Sequence, residues 1–432
     1  MIHDVLKKNN SLLRNKQIKY SHNKKMKILL LLNQPYPNGY ALTKRFHLYA
    51  KGFIKNGHSA KLIIPIPREK IGQSNNTLSK GSHEGVPFEY SWRNCERSNN
   101  FIIRRFHDLY GALKTGLIII NEKPNIIIIS SFSLFIYCYI KLISLFMSFK
   151  LIREKCEVDH LNQDSINQFE KIQIKIINSF FDGFIVITRQ LEEYQKQILE
   201  SKSPYIKVPI LVEDFRRGSL FQTQKKIVYT GTFLERKDGI ITILKAFSKF
   251  RIYYPDYKLV LTGSPVRSPD YQKIIDTIND EKLNSYVVFT GYLQEKELQN
   301  TICTAELHIL TKPENRQNHY NFPTKIGEYM ITGRPILATN VGVIGELLTN
   351  EVNVFFTEYS SDAIAEKMIY IIKNKHFATQ IGNNGRLYAL CNFDYEYHTD
   401  KMIEFFNKLI LTKSANIYNC PSIEIVNNKT SN

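Results

Sequence analysis

Thr324, Lys325 and Glu328 lie within one short stretch, Phe322-Pro-Thr-Lys-Ile-Gly-Glu-Tyr-Met330. Pro323 and Thr324 read as the start of a helix, Gly333 as its stop, and Pro335 as the break before a buried strand at Ile336. A lysine in the first helical turn faces the positive end of the helix dipole, which disfavours a cation by about 0.3–1 kcal/mol. The placement becomes favourable when an anion sits at the tip, where free backbone N–H groups also point. Thr324, Lys325 and Glu328 share one face of such a helix. A cation for phosphate beside a carboxylate for hydroxyls suits a sugar nucleotide. The same spacing also fits an ordinary surface helix with a Lys–Glu pair.

A second basic group lies in Gly231-Thr-Phe-Leu-Glu-Arg-Lys-Asp-Gly239. Gly231 permits a tight turn after a strand, and Arg236 and Lys237 are expected just ahead of a helix over 238–250. Cations again gather at a positive helix end, which points to a shared anion, although a solvated basic loop has the same composition. The chain has no G-x-x-x-x-G-K-[ST], no G-x-G-x-x-G after its first strand, no Asp-x-Asp pair and no G-x-S-x-G. These absences count against P-loop nucleotide hydrolysis, nicotinamide-dependent redox chemistry, a metal–diphosphate clamp of the Asp-x-Asp kind and a nucleophile elbow.

The elements that must carry these residues follow from hydrophobic rhythm. Short apolar runs at 27–32, 60–65, 126–129, 151–152 and 183–188 alternate with helical stretches at 43–56, 133–149 and 166–180. The rhythm restarts at 226–231, 258–263, 287–291 and 306–310. Three of these later strands end in Thr-Gly, which lets backbone approach closely at a sheet's carboxyl edge, where open α/β sheets bind ligands. Two Rossmann-like halves facing a cleft are expected. The expected divisions are a basic, disordered leader over 1–25, an acceptor half over 26–206, a donor half over 207–393, a helix over 394–411 crossing back to the first half, and a polar tail over 412–432. Residues 68–100 read as a polar loop or lid.

At 432 residues the chain is too long for one core, and its formal net charge of +18 favours an anionic partner. Zinc-finger spacing, RNA-binding aromatics and a long basic helix are missing, so nucleic acid is not expected. The six cysteines form no Cys-x-x-Cys pair, which suits a reducing compartment and gives no metal site. The N-terminus has no apolar signal core. Residues 133–152 approach the length of a membrane span, but Lys141 and Lys150 interrupt them, and a buried or membrane-facing helix is the expectation. The cysteines point to a cytoplasmic location, and the charge together with this helix allows peripheral contact at the inner membrane face.

With these motifs in view, the chain resembles the retaining GT-B glycosyltransferases of family 4, glycosyl transferases group 1, over about residues 26–411. The resemblance rests on Tyr229–Gly239, Leu259–Gly263, Val288–Leu293, Phe322–Met330 and Gly333-Arg-Pro335, with Arg153–Glu157, Phe181–Thr188 and the loop ending in Gly39 in the first half. It implies a GT-B fold and transfer of a sugar, of hexosyl type, from a UDP or GDP donor to a carbohydrate or lipid-linked hydroxyl, with no further cofactor and no metal, in surface polysaccharide or glycolipid assembly. Lys237 would contact the donor diphosphate, with Gly231 and Arg236 beside it, and Glu328 would hold the ribose. Tyr292 and Leu293 would lie against the base near Gly263. Thr324 and Lys325 would meet phosphate, and Gly39 would approach the same diphosphate from the first half. Lys237 and Glu328 are the expected catalytic pair. The family's paired glutamate falls at Tyr320, with Glu314 and His319 nearby as substitutes, and Thr232 stands where an arginine is usual. A sugar-nucleotide epimerase on the same architecture and a non-catalytic nucleotide-sugar binder are the rival readings.

Overall fold

A computed structural model of the chain describes residues 25–72, 74–157, 168–198, 203–216 and 221–411. Of the expected leader over 1–25, residues 1–24 lie outside the described residues, as does the expected tail over 412–432. In the first half the strands are β1 (Lys27–Leu31), β2 (Ser59–Ile64), β3 (Glu69–Lys70), β4 (Lys80–His83), β5 (Val86–Tyr90), β6 (Glu96–Arg97), β7 (Ile126–Ile129), β8 (Lys150–Lys155), β9 (Gly183–Val186) and β10 (Tyr205–Lys207). Eight of them form one sheet in the order β10-β9-β8-β7-β1-β2-β5-β4, and β3 pairs separately with β6. Pairing is parallel except between β4 and β5. β7 is four consecutive isoleucines, all buried, as a central parallel strand covered on both faces requires.

The second half has β11 (Lys226–Thr230), β12 (Lys258–Thr262), β13 (Val287–Phe289), β14 (Leu307–Leu310), β15 (Ile336–Thr339) and β16 (Phe355–Thr357). They form an all-parallel sheet in the order β13-β12-β11-β14-β15-β16. Both sheets are doubly wound, as the alternation of strands and helices implies.

Residues 68–100 are not a plain loop. Val86, Phe88 and Tyr90 alternate with exposed or half-buried neighbours, and that period of two docks β5 beside β2. The pattern reading also assigns nothing to residues 101–122, where the longest described helix, Phe101–Glu122, runs. Its outward face is itself apolar, so the usual amphipathic contrast is weak.

The halves are joined through 208–216 and through the last helix. Val212 pairs with Asp394, and its N–H donates to the Phe393 carbonyl at 2.9 Å. Helix Tyr395–Leu411 packs on helix Ala41–Lys55 of the first half, where Phe406 meets Phe53 with ring centroids 5.8 Å apart and Asn56 bonds Asp400 at 2.6 Å. One apolar core runs from β7 and β9 through Ile210 and Val212 to Phe322, Ile326 and Tyr329. A Cβ on Gly327 would stand 2.7 Å from Val212, so glycine is what lets this connection pass against the helix.

Candidate functional site

The site forms where the carboxyl ends of the two sheets meet. Thr230, Thr262 and Thr290 each precede a glycine, and the Gly263 N–H donates to the Gly291 carbonyl at 2.9 Å, holding two of these ends together. Helix Lys325–Thr332 begins at Thr324, whose side chain makes no capping bond, and stops at Gly333 in the left-handed conformation. Tyr329 ties this helix to β11: its hydroxyl accepts from the Thr230 N–H at 2.7 Å and lies 2.8 Å from the Thr230 hydroxyl. The helix tip is thereby fixed beside the 231–239 loop.

That loop differs from its expected form. Residues Glu235–Asp238 make a helical turn of their own, Gly239 follows at φ 67°, and the long helix is Ile240–Tyr253. Arg236 and Lys237 therefore sit within a separate turn and not directly ahead of the helix. Glu235 caps the helix instead, accepting from the Ile241 N–H at 2.5 Å. Arg236 is exposed, and its carbonyl accepts from Asn315 at 2.7 Å.

Asp238 is the buried centre of the cluster. It accepts from the Thr232 hydroxyl at 2.7 Å and pairs with Lys312 at 3.3 Å. Burial opposes its charge, but Lys325, Lys312, Thr232 and Lys237 outweigh burial and hold the carboxyl well below its usual range. Lys312 also donates to the Lys237 carbonyl at 3.1 Å. Burial lowers Lys312 to about 8, with Lys325 and Lys237 acting in the same direction and Asp238 opposing. Lys325 is lowered too, first by burial, with Lys237 adding to the effect and Asp238 and Glu328 opposing. Lys237, Lys312 and Lys325 thus surround the Asp238 carboxylate, and Glu328, which also acts on Lys325, is itself paired with Lys44, which leaves two positive charges uncompensated. Among the described residues neither Lys237 nor Lys325 has a carboxylate at ion-pair distance. An anion carrying about two charges would complete this set.

Glu328 lies on the same helix, half-buried, and accepts from Lys44 at 3.0 Å. Lys44 comes from helix Ala41–Lys55, so the pair spans the cleft. Burial works to lower Lys44, but Glu328 and Glu295 outweigh it and hold the ammonium above its ordinary value. Around this pair, Lys51 bonds Glu84 at 2.6 Å and Glu213 at 2.9 Å, and His83, Glu84 and Glu295 bring ligand-type atoms within 4.8 Å of one another. Gly39 sits in the loop before the same helix. A Cβ there would fall 2.2 Å from the Thr43 hydroxyl and 2.3 Å from the Pro35 carbonyl, so glycine lets the loop fold onto its own helix start. Tyr292 is exposed at the cleft mouth. Its hydroxyl is pushed up first by burial and then by Glu69 and Tyr40 of the first half and by Glu295. Leu293 is half-buried beside it.

The structure therefore brings Lys237, Lys325, Thr324 and Glu328 to one place, with Gly231 on the neighbouring strand end. Gly263 and Tyr292 lie at the adjoining ends, and Gly39 on the facing loop. Lys312 and Lys44 were not among the expected residues. A charged residue closing the buried strand Leu307–Leu310 was a usable signal for Lys312. Pairing across a cleft leaves no local trace, and nothing in the sequence marks Lys44. Tyr320 packs edge-on against Tyr194 of the first half at 6.1 Å, while Glu314 is exposed.

This geometry lies within a recognisable segment. Residues 212–388 match the family described as glycosyl transferases group 1. The matched segment holds every site residue named above from Gly231 to Glu328. None of the curated proteins matches the chain. Among solved structures, the chain is similar to sucrose-phosphate synthase from Thermosynechococcus elongatus, with a TM-score of 0.70 at 15% identity over 89% of this chain and 99% of that one. A glycosyltransferase from Rickettsia africae gives 0.66 at 16% identity over 91% and 100%. Anabaena HepE in complex with UDP and glucose gives 0.63 at 15% over 89% and 100%. At these identities the likeness is one of fold, and the fold is GT-B.

Proposed function

We propose that the protein is a retaining glycosyltransferase that moves a sugar, of hexosyl type, from a UDP or GDP donor to a carbohydrate or lipid-linked hydroxyl. The setting is surface polysaccharide or glycolipid assembly, on the cytoplasmic side of a membrane. The observation that carries the reading is the group of three lysines around Asp238, beside a helix tip and Glu328. Two uncompensated positive charges match a diphosphate. As the glycosidic bond to the donor breaks, negative charge grows on the departing diphosphate and positive charge on the sugar. Lys237, Lys325 and the N–H groups at Thr324 and Lys325 would take up the former, and would supply the counter-charge that a divalent metal provides elsewhere. Glu328 would accept from the ribose hydroxyls. That one solved neighbour holds UDP and glucose supports the UDP form of the donor.

The test separates nucleoside from phosphate recognition. UDP, GDP and pyrophosphate are titrated into the protein and into Glu328→Ala. The variant is expected to bind the nucleoside diphosphate about 10- to 100-fold more weakly, as loss of charge-assisted bonds implies, and pyrophosphate no more weakly than before. Equal losses for both ligands, or no binding of either nucleotide, would reject the reading.

A pH dependence follows from Lys312. Its pKa near 8 in the free protein rises when a diphosphate binds, so binding takes up a proton above that value. Diphosphate affinity is expected to fall as pH rises beyond about 8, by up to about tenfold per pH unit. Calorimetry in two buffers of different ionisation enthalpy reads the proton uptake directly.

A further inference from the structure

Three helices clothe one face of the first sheet: Phe101–Glu122, Leu134–Phe146 and Gln168–Asn178. Each buries one row in the same core, through Ile118 and Ile119, Ile136 and Ile140, and Ile174. The opposite rows should be polar on a helix that meets water. They are not. Ile102 is 76% exposed, Phe106 64%, Leu145 70%, Phe146 83% and Phe169 69%. Ile172 and Ile176 continue the row on the third helix.

The rows adjoin. The Tyr139 hydroxyl donates to the Leu113 carbonyl at 3.5 Å, joining the first two helices, and the second and third connect neighbouring strands of the sheet. Soluble monomers rarely leave contiguous apolar patches beyond a few hundred Å² uncovered.

Charge selects the occupant. The three helices carry Arg104, Arg105, Lys114, Lys141, Lys171 and Lys175 against Asp108, Glu122 and Glu170. Asp108 is paired by Arg97 at 2.8 Å and by Arg105 of the same helix at 3.6 Å, and Glu122 by Lys27 at 3.2 Å and Lys61 at 3.3 Å from outside this face. What faces outward is an apolar surface studded with positive charge, on a chain of net charge +18. A second copy would set two basic faces against each other. We propose that this three-helix face docks in the plane of an anionic lipid surface, with Phe106, Leu145, Phe146 and Phe169 entering the acyl boundary and the basic side chains meeting lipid phosphates. None of the described helices is long and apolar enough to cross a membrane, so the contact is one of lying on the surface. The inference gives the proposed transferase its partner surface, yet its test needs no sugar donor, so either can fail alone.

The full-length chain is sedimented with vesicles of phosphatidylcholine alone and of phosphatidylcholine mixed with phosphatidylglycerol. Binding to the anionic vesicles is expected to be at least about tenfold stronger, and to weaken with added salt. The pair Leu145→Glu and Phe146→Glu is expected to lower it by more than about tenfold. The pair Lys114→Glu and Lys141→Glu should abolish the preference for anionic vesicles. Ile252→Glu, an equally exposed apolar residue of the second half, should leave binding unchanged, and circular dichroism checks that each variant folds. Indifference to both vesicle types, equal losses in the Ile252 control, or a concentration-dependent dimer that the Leu145 and Phe146 changes dissolve would overturn the proposal.

Discussion

Replacing Lys237 by alanine is expected to lower turnover of sugar transfer by about 10²–10³, while the dissociation constant for the nucleoside diphosphate rises by no more than about tenfold. The asymmetry follows from where the charges stand. In the resting site, Lys312 and Asp238 are buried and already paired at 3.3 Å, so they act as a fixed background. Lys325 is half-buried at the helix tip. Lys237 is the half-buried cation on the facing turn with no described carboxylate at ion-pair distance, and its carbonyl, bonded by Lys312 and by Asn318 at 3.1 Å, fixes the turn that carries it. Ground-state binding of the diphosphate retains Lys325, the helix N–H groups and Glu328 when Lys237 is lost. The transition state adds charge to the leaving oxygen, and that increment is expected to fall on Lys237, because Glu328 offsets part of the charge on Lys325. Turnover is measured with the donor found by the titrations above, under saturating donor. A variant with unchanged turnover, or one whose losses lie wholly in donor affinity, would place Lys237 outside the reacting centre.

What the sequence made legible was governed by local rules. The Thr-Gly strand ends, the helix from Lys325 to its Gly333 stop, and the alternation that builds two parallel sheets are each written in a few adjacent residues. Strand β5 was harder, because its period of two spans only Val86, Phe88 and Tyr90 amid polar neighbours. Helix Phe101–Glu122 was harder still: apolar residues occupy both its buried and its outward faces, so the usual contrast that marks a helix is blurred. The site divides in the same way. Lys325 is visible because lysine at a helix start is an electrostatic anomaly, Glu328 because it shares that helix face, and Lys237 because it lies in a basic stretch bounded by glycines. Lys312 gains its role by being buried against Asp238, and Lys44 by reaching Glu328 across the cleft from a residue nearly three hundred positions away. Those relations exist only once both sheets are folded and joined.

Arg45→Met should destabilise the protein by about 3–5 kcal/mol, the largest effect expected from a single change outside the candidate site. Arg45 is buried on helix Ala41–Lys55. Its Nε donates to Glu154 at 2.8 Å, and its two terminal nitrogens donate to the Pro209 carbonyl at 2.5 Å and the Val208 carbonyl at 2.6 Å. Glu154, at the end of β8, also accepts from Tyr49 at 3.1 Å and from the Cys156 thiol at 3.2 Å. Burial works against charge on Arg45, but Glu154 outweighs it, and the guanidinium is held more firmly protonated than usual. Methionine fills much of the same volume but strands a buried carboxylate and two buried carbonyls. The Val208 and Pro209 carbonyls belong to the segment that leaves the first half, so the same change loosens the joint between the sheets. The double variant Arg45→Met with Glu154→Gln removes the orphaned charge and is expected to recover part of the lost stability, while the linker carbonyls stay unpaired. Urea unfolding of the wild type, the single variant and the double variant measures each step. If the double variant regains everything, the carboxylate alone accounts for the loss, and Arg45 has no part in anchoring the connection between the halves.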